Sequence, residues 1–198
     1  AIFDEEVILQ MMKWLPKGKA PGFSAVPNEA LKASSSVLVS RMKRWFILCY
    51  ITNTVPTSWK RARIVPVPKK GDLTLISNYR PISLLENCRK VFERCVEHYL
   101  KNTIESLSVE QGGFRKKRST LDQVVSLHDL IRGYTVKYGK SPHVAFLDIK
   151  AAYDSVPREI MFRKCREKGM SDAMVSILKQ LYNNNESLVS INGANSRS

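Results

Sequence analysis

No run of about 18 apolar residues occurs in this sequence, so no membrane-spanning helix is expected. It carries no signal-peptide pattern. Cys49, Cys88, Cys95 and Cys165 form no C-x-x-C pair, and His98, His128 and His143 do not complete a zinc pattern. Internal repeats and low-complexity tracts are also missing. Acidic residues are scarce: 18 Asp+Glu against 32 Lys+Arg leave a net charge of +14. A surface this basic attracts polyanions, nucleic acid foremost. On charge alone, a basic protein without a specific partner, or one held at an anionic membrane, stands as the alternative.

What is present suits a folded protein. The 198 residues are enough for one domain or a domain and a half, and a hydrophobic content of 43% supports a core. Cys88 and Cys95 lie at helical spacing among apolar residues and read as core thiols of a reducing compartment. The first residue is Ala1 and not Met, so the chain is expected to be cut from something longer.

The coarse pattern is α/β or α+β. Asp4 is the expected N-cap of a helix whose stripe is Val7, Ile8, Met11, Met12 and Leu15. "PKGKAPGFSAVP" reads as an exposed loop, and Pro27 as the start of a helix to about Tyr50 that buries Leu31, Leu38, Met42, Trp45, Phe46 and Cys49. "RARIVPVPKK" and "YRPIS" read as strands of a projecting ribbon, the first carrying prolines and hence edge-like or exposed. Ser83 and Glu86 have capping-box spacing before a helix with Leu84, Cys88, Val91, Cys95, Tyr99 and Ile104 on one side. "SVEQGGFRKKRS" is a basic loop. Ser119 and Asp122 open a helix to about Tyr134, with His128 on its apolar stripe as a core histidine. Pro157 and Ser171 start two more helices, and "ESLVSIN" is a final strand. Trp14, Trp45 and Trp59 are read as packing residues, with Trp59 beside Lys60 also within reach of nucleic acid.

"HVAFLDI" is a short, almost wholly apolar run ending in one acid, the pattern of a strand buried on both faces. A carboxylate at the end of such a strand is costly unless it is paired or binds a metal. Asp148 is therefore the first candidate for chemistry: with the Ile149 carbonyl it offers oxygen ligands to Mg²⁺. The plainer alternatives are that Asp148 caps a turn or pairs with Lys150, and that Asp154 caps the helix before which Pro157 stands.

Four motifs, "WKRARIVPVPKKGD", "NYRPISLL", "QGGFRKKRSTLDQ" and "VAFLDIKAAYDSVP", occur in one order over residues 59 to 157, with "KAPG…PNEALK" before them. In this the chain resembles the reverse transcriptases of non-LTR (LINE-type) retrotransposons. The resemblance implies a partial right-hand polymerase fold: helical fingers with a β-ribbon over residues 1–140, and an incomplete palm sheet over 141–198. It implies an RNA-directed DNA polymerase that uses Mg²⁺, with Mn²⁺ as an alternative, and works on an RNA template, a DNA primer and dNTPs.

Residue by residue, Asp148 matches the first catalytic aspartate, with Ile149 lending its carbonyl to the metal. Tyr153 matches the aromatic residue under the incoming sugar, where a ring leaves no room for a 2′-OH. Without the resemblance it would read as a core aromatic. Arg80 matches the arginine that grips the triphosphate, with Lys69 or Lys70 as its partner. The plainer reading of that lysine pair is a solvated hairpin tip. Gly113, Phe114 and Arg115 match a segment along the template strand, which Lys116, Lys117 and Arg118 extend to phosphates.

Two departures stand out. Ser24 and Ala25 occupy positions where relatives carry Asp and Gly. The aspartate hairpin that follows in the family is not among the 198 residues. The chain alone is therefore expected to be inactive. The rival readings are a non-catalytic RNA- or DNA-binding remnant and a domesticated interaction module. An intracellular, nuclear location is expected, and self-association through an exposed sheet edge.

Overall fold

Asp4 opens helix α1 (Glu5–Lys13), its carboxylate accepting from the Glu5 amide at 2.6 Å. Ile8, Met11 and Met12 then fall on the buried face, with Leu15 beyond the end. The computed structural model describes residues 2–33, 36–103, 108–191 and 194–196. The expected contribution of Ile104 to a helix face lies outside them. Packing separates Ala1–Ile104 with Phe162–Ser198 from Glu105–Met161.

In the first unit, the single long helix expected after Pro27 is two helices, α2 (Asn28–Lys32) and α3 (Ser36–Thr52). Helix α2 closes at its C-cap Ala33, and α3 is described from Ser36. The buried stripe of α3 is Val39, Met42, Phe46 and Cys49. Leu38 is only half-buried, and Trp45 is partly exposed while packing on Trp59 at 5.3 Å. Trp14, read as a packing residue, is 56% exposed, since it caps α1 on its outer side.

The core is aromatic. Phe92 meets Phe3 at 4.9 Å, Phe46 edge-on at 5.3 Å and Trp59 at 5.3 Å. These rings join the segment before α1, helix α3, the 3-10 turn Thr57–Lys60 and α4 (Asn87–Thr103). Each buried ring contributes roughly 1.5–3 kcal/mol by transfer from water, and ring pairs add about 0.5–1.5 kcal/mol. Arg89 of α4 is buried beside them. It pairs with Glu93 at 2.8 Å and donates to the Trp59 carbonyl, so its charge is matched.

Strands β1 (Arg61–Pro68) and β2 (Tyr79–Leu84) form the expected antiparallel ribbon, with Val67 opposite Arg80. On its other side β1 pairs in parallel with β3 (Glu186–Ile191), which continues into β4 (Ala194–Asn195). The sheet order is β2-β1-β3-β4. The parallel pairing runs to Ile64, so among the described residues Pro66 and Pro68 sit where β1 has no second strand neighbour and their missing donors cost little. The first half of β1 is thus central and only its proline half is edge-like. Helix α7 (Asp172–Tyr182), capped by Ser171, buries Met174, Val175, Ile177 and Leu181.

Ser83 is not a cap. It pairs with Ile64 inside β2, and Glu86 turns to the loop before α2. The buried Glu86 carboxylate accepts from the Ser24 amide at 2.9 Å and from the Ser24 hydroxyl. Asn87 donates to the Val26 carbonyl at 2.7 Å. A Cβ on Gly22 would stand 2.8 Å from the Glu86 amide, so only glycine permits this approach.

In the second unit, Ser119 and Asp122 form the expected capping box, and α5 runs Thr120–Tyr138. Its apolar residues Leu121, Val124 and Leu130 are exposed. His128, expected in a core, is exposed beside Asp129 at 3.3 Å. The strand expected over "HVAFLDI" does not form: residues 141–149 carry no regular structure, and Phe146 and Leu147 are 83% and 94% exposed. A strand exists through its partners, and among the described residues no strand pairs with this segment. Helix α6 (Arg158–Glu167) follows Pro157 as expected and carries the buried Phe162.

Ala25 has φ +57, in the left-handed region. That costs an L-residue roughly 1–2 kcal/mol, a cost that glycine would not carry. Ala25→Gly should therefore stabilise the chain by about 1 kcal/mol, read as a higher urea midpoint at unchanged m-value. Burial pushes the Cys95 thiol up to about 12. At pH 8 a thiol reagent should label the half-buried Cys88 and Cys165 first and reach Cys95 only on unfolding, as followed by mass spectrometry.

Candidate nucleotide and nucleic-acid site

The ribbon tip is built by its own backbone. The Lys69 amide donates to the Asn78 carbonyl at 2.7 Å, and the Asn78 side chain donates to the Asp72 carbonyl at 2.6 Å. Asp72 accepts from the Thr74 amide at 2.9 Å and hydroxyl at 2.8 Å, which hold its carboxyl below the usual range. The Tyr79 hydroxyl donates to the Leu73 carbonyl at 3.0 Å. Gly71 adopts φ +120, and a Cβ there would lie 3.2 Å from the Asn78 amide nitrogen.

This frame separates the two lysines. The Lys69 ammonium bends back to the Ser77 carbonyl at 3.0 Å. Lys70 is exposed and has no ion pair among the described residues. Arg80 is exposed on β2, two positions from the Asn78 clamp and opposite Val67. The ribbon thus presents Lys70 and Arg80 to solvent as cations not committed to a carboxylate among the described residues. Asn78, which holds the tip closed, was missed in the sequence. Its only signal there is an asparagine beside a turn.

The basic loop of the second unit is likewise self-supported. The Arg115 guanidinium donates to the carbonyls of Ser108 at 2.9 Å, Val109 at 3.2 Å and Gln111 at 3.3 Å. It closes its own loop and is only half-exposed. Gly113, Lys116, Lys117 and Arg118 are exposed, and Phe114 holds φ +60 with its ring 88% exposed. Ser119 fixes where this stretch ends, and its backbone and side-chain bonds lower the Asp122 pKa.

Asp148 stands in the irregular, exposed segment before a turn in which Asp154 and Ser155 donate to the Ala151 carbonyl at 2.9 and 3.0 Å. Ile149 and Tyr153 are exposed at 70% and 84%, so Tyr153 is not a core aromatic. No cluster of three or more His, Cys, Asp or Glu side chains suited to a metal occurs among the described residues.

Comparison with known proteins identifies the family. Residues 67–197 match the family model described as reverse transcriptase (RNA-dependent DNA polymerase). The chain is 28% identical to the transposon TX1 uncharacterized 149 kDa protein of Xenopus laevis over 92% of its own length and 14% of the relative's. It is 27% identical to a retrovirus-related Pol polyprotein from type-1 retrotransposable element R2 of Popillia japonica, over 85% of the chain and 22% of the relative. It is 28% identical to an RNA-directed DNA polymerase from mobile element jockey of Drosophila melanogaster, over 76% of the chain and 17% of the relative. The chain therefore spans less than a quarter of the length of these relatives. With the matched model covering well over half of the chain, and its motifs in the order expected of the non-LTR kind, the chain belongs to the reverse transcriptase family.

Proposed function

We propose that this chain is the nucleotide- and template-binding front of a retrotransposon RNA-directed DNA polymerase. It would comprise fingers over residues 1–140 and the first part of a palm over 141–198. The observation that carries the reading is the ribbon with Lys70 and Arg80 exposed on a frame that Asn78 and Asp72 hold closed. Phosphate recognition needs cations that are not already spent on carboxylates.

In this reading Arg80 grips the triphosphate of a dNTP with its forked guanidinium, and Lys70 adds a point charge. Lys69 supports the tip. The exposed run Lys116, Lys117 and Arg118 follows the phosphates of an RNA template paired to a DNA primer, with Gly113 and Phe114 beside it and Arg115 shaping the loop. The Tyr153 ring lies under the sugar and excludes a 2′-OH.

Asp148 and the Ile149 carbonyl are hard oxygen donors that suit Mg²⁺ or Mn²⁺, and they fit two places of an about six-coordinate shell. Further carboxylates must come from outside the described residues. When bound, such ions offset phosphate charge and ease deprotonation of the attacking hydroxyl. A nuclear site of action and self-association through the open edges of the sheet belong to the same proposal.

A second reading is favoured by one observation: both basic elements are complete without Asp148. The chain would then serve as an RNA- or DNA-binding module without chemistry. The purified 198-residue chain should bind single-stranded RNA or DNA and show no primer extension. Contact with about six phosphates would weaken binding roughly a thousandfold between about 50 and 200 mM salt. Extension activity that survives Asp148→Ala would overturn the assignment of Asp148.

Sugar selection separates polymerase from module in the full-length parent enzyme. Tyr153→Ala should raise the rNTP-to-dNTP ratio of kcat/KM, because discrimination is a ratio of those constants. Arg80→Ala should lower both terms alike, since it reads phosphate and not ribose. An unchanged ratio in Tyr153→Ala would remove Tyr153 from the sugar site.

A further inference from the structure

Beyond Arg80, β2 runs into a cleft of about 620 Å³ between the loop after α1 and the outer side of α4. That volume is ample for a small ligand or one unit of a polymer. Leu15, Ile82 and Leu84 give it an apolar floor, and Lys19, Lys90 and Arg94 supply cations. Two acids also line it, and both are already matched by cations outside the lining. Glu93 pairs with Arg89 at 2.8 Å, and Glu97 pairs with Lys101.

Lys19 and Arg94 have no carboxylate partner among the described residues. Lys90 donates to the Asn87 side-chain Oδ1 at 2.9 Å, and burial lowers its pKa against the pull of Glu86 and Glu93. Asn28, also in the wall, is 1% exposed. Its amide nitrogen donates to the Pro16 carbonyl at 2.8 Å, while its buried Oδ1 has no donor among the described residues. An unmatched buried acceptor costs free energy, which an incoming N–H donor relieves.

An apolar floor with unspent cations is the combination that holds single-stranded nucleic acid, with a base on the floor and a phosphate at the rim. An acidic peptide carries the same charge. The net charge of +14 and the polymerase family favour the polynucleotide.

We propose that this cleft is a seat for single-stranded nucleic acid distinct from the Lys70–Arg80 tip, with a base against Ile82 and Leu84 and a flanking phosphate on Lys19 and Arg94. The proposal rests on the nucleic-acid reading above and adds a place where the strand is held outside the triphosphate site. Loop 16–20 is fixed there through Asn28 and Pro16, so Lys19 is presented on an anchored loop.

The test measures Kd of the 198-residue chain for a fluorescent 12-nucleotide oligouridine across a salt series. Lys19→Glu with Arg94→Glu should weaken binding more than tenfold and reduce the slope of log Kd against log salt by about two. Arg41→Glu with Arg44→Glu changes net charge equally on α3, whose residues do not line the cleft, and should cost less than threefold. Lys19→Arg with Arg94→Lys should retain wild-type affinity within about threefold. A 4-thiouridine oligomer should cross-link to residues 15–20 or 82–84. Circular dichroism checks the fold. If the double reversal does not fold, Lys19→Glu alone should lower the slope by about one.

If the wild type binds but the cleft pair costs no more than the control pair, the seat does not exist and the nucleic-acid reading stands. If the wild type binds no oligonucleotide, both fall. If the cleft pair abolishes binding of an oligoglutamate peptide and leaves oligouridine untouched, the occupant is an acidic protein segment and the proposal is overturned.

Discussion

A carboxylate taken out of water must be matched or its burial destabilises the fold. Glu86 is buried where β2 ends and α4 begins, and Ser24 meets both of its oxygens. That contact joins positions 62 residues apart. Around it Gly22 lies against the Leu85–Glu86 backbone, and Asn87 holds the Val26 carbonyl. The lysine-rich loop is thus clamped to the sheet. Phe23, carried by the clamped loop, sits under the Arg61 and Arg63 guanidiniums at 5.1 and 4.8 Å. The direction of β2, hence of Arg80, and the position of Lys19 both follow from this junction.

The two units answer to different constraints. In the first, aromatic rings and the matched Arg89 fasten helices and sheet into a core. In the second, no described residue is buried, and order comes from local bonds: the Ser119–Asp122 box and the Arg115 carbonyl cluster. Local bonds shape a loop or a helix end, while only apolar burial fixes an element against water at large. The cations and Asp148, which would meet phosphate and metal, lie where access is open. The buried ionic groups Glu86 and Arg89 are wholly occupied by the protein itself.

Much was legible because its cause is local. The Asp4 cap, the Ser119 box, the Ser171 cap, the proline-marked ribbon and the β3 alternation all express preferences of a few neighbouring residues. Other features were not. Ser83 and Glu86 have the spacing of a capping box, but β2 uses the Ser83 backbone and Ser24 takes Glu86. Residues 143–149 have the apolar run of a buried strand, and among the described residues no strand pairs with them. His128 repeats with apolar residues along α5, and among the described residues none of that helix is buried.

The amino-acid order by itself determined the reverse transcriptase motifs and their sequence, the basic charge, and the helices and strands whose signals lie within a turn or two. Tertiary structure alone decided that Lys69 turns back while Lys70 stays free of ion pairs among the described residues. It alone paired β3 with β1 across the chain, seated Glu86 on Ser24, and rotated the α3 stripe onto Val39. The physical reason is common to these cases. A capping or periodicity signal is a property of one segment, whereas burial, strand pairing and charge matching are properties of two, and the partner cannot be read from one segment alone.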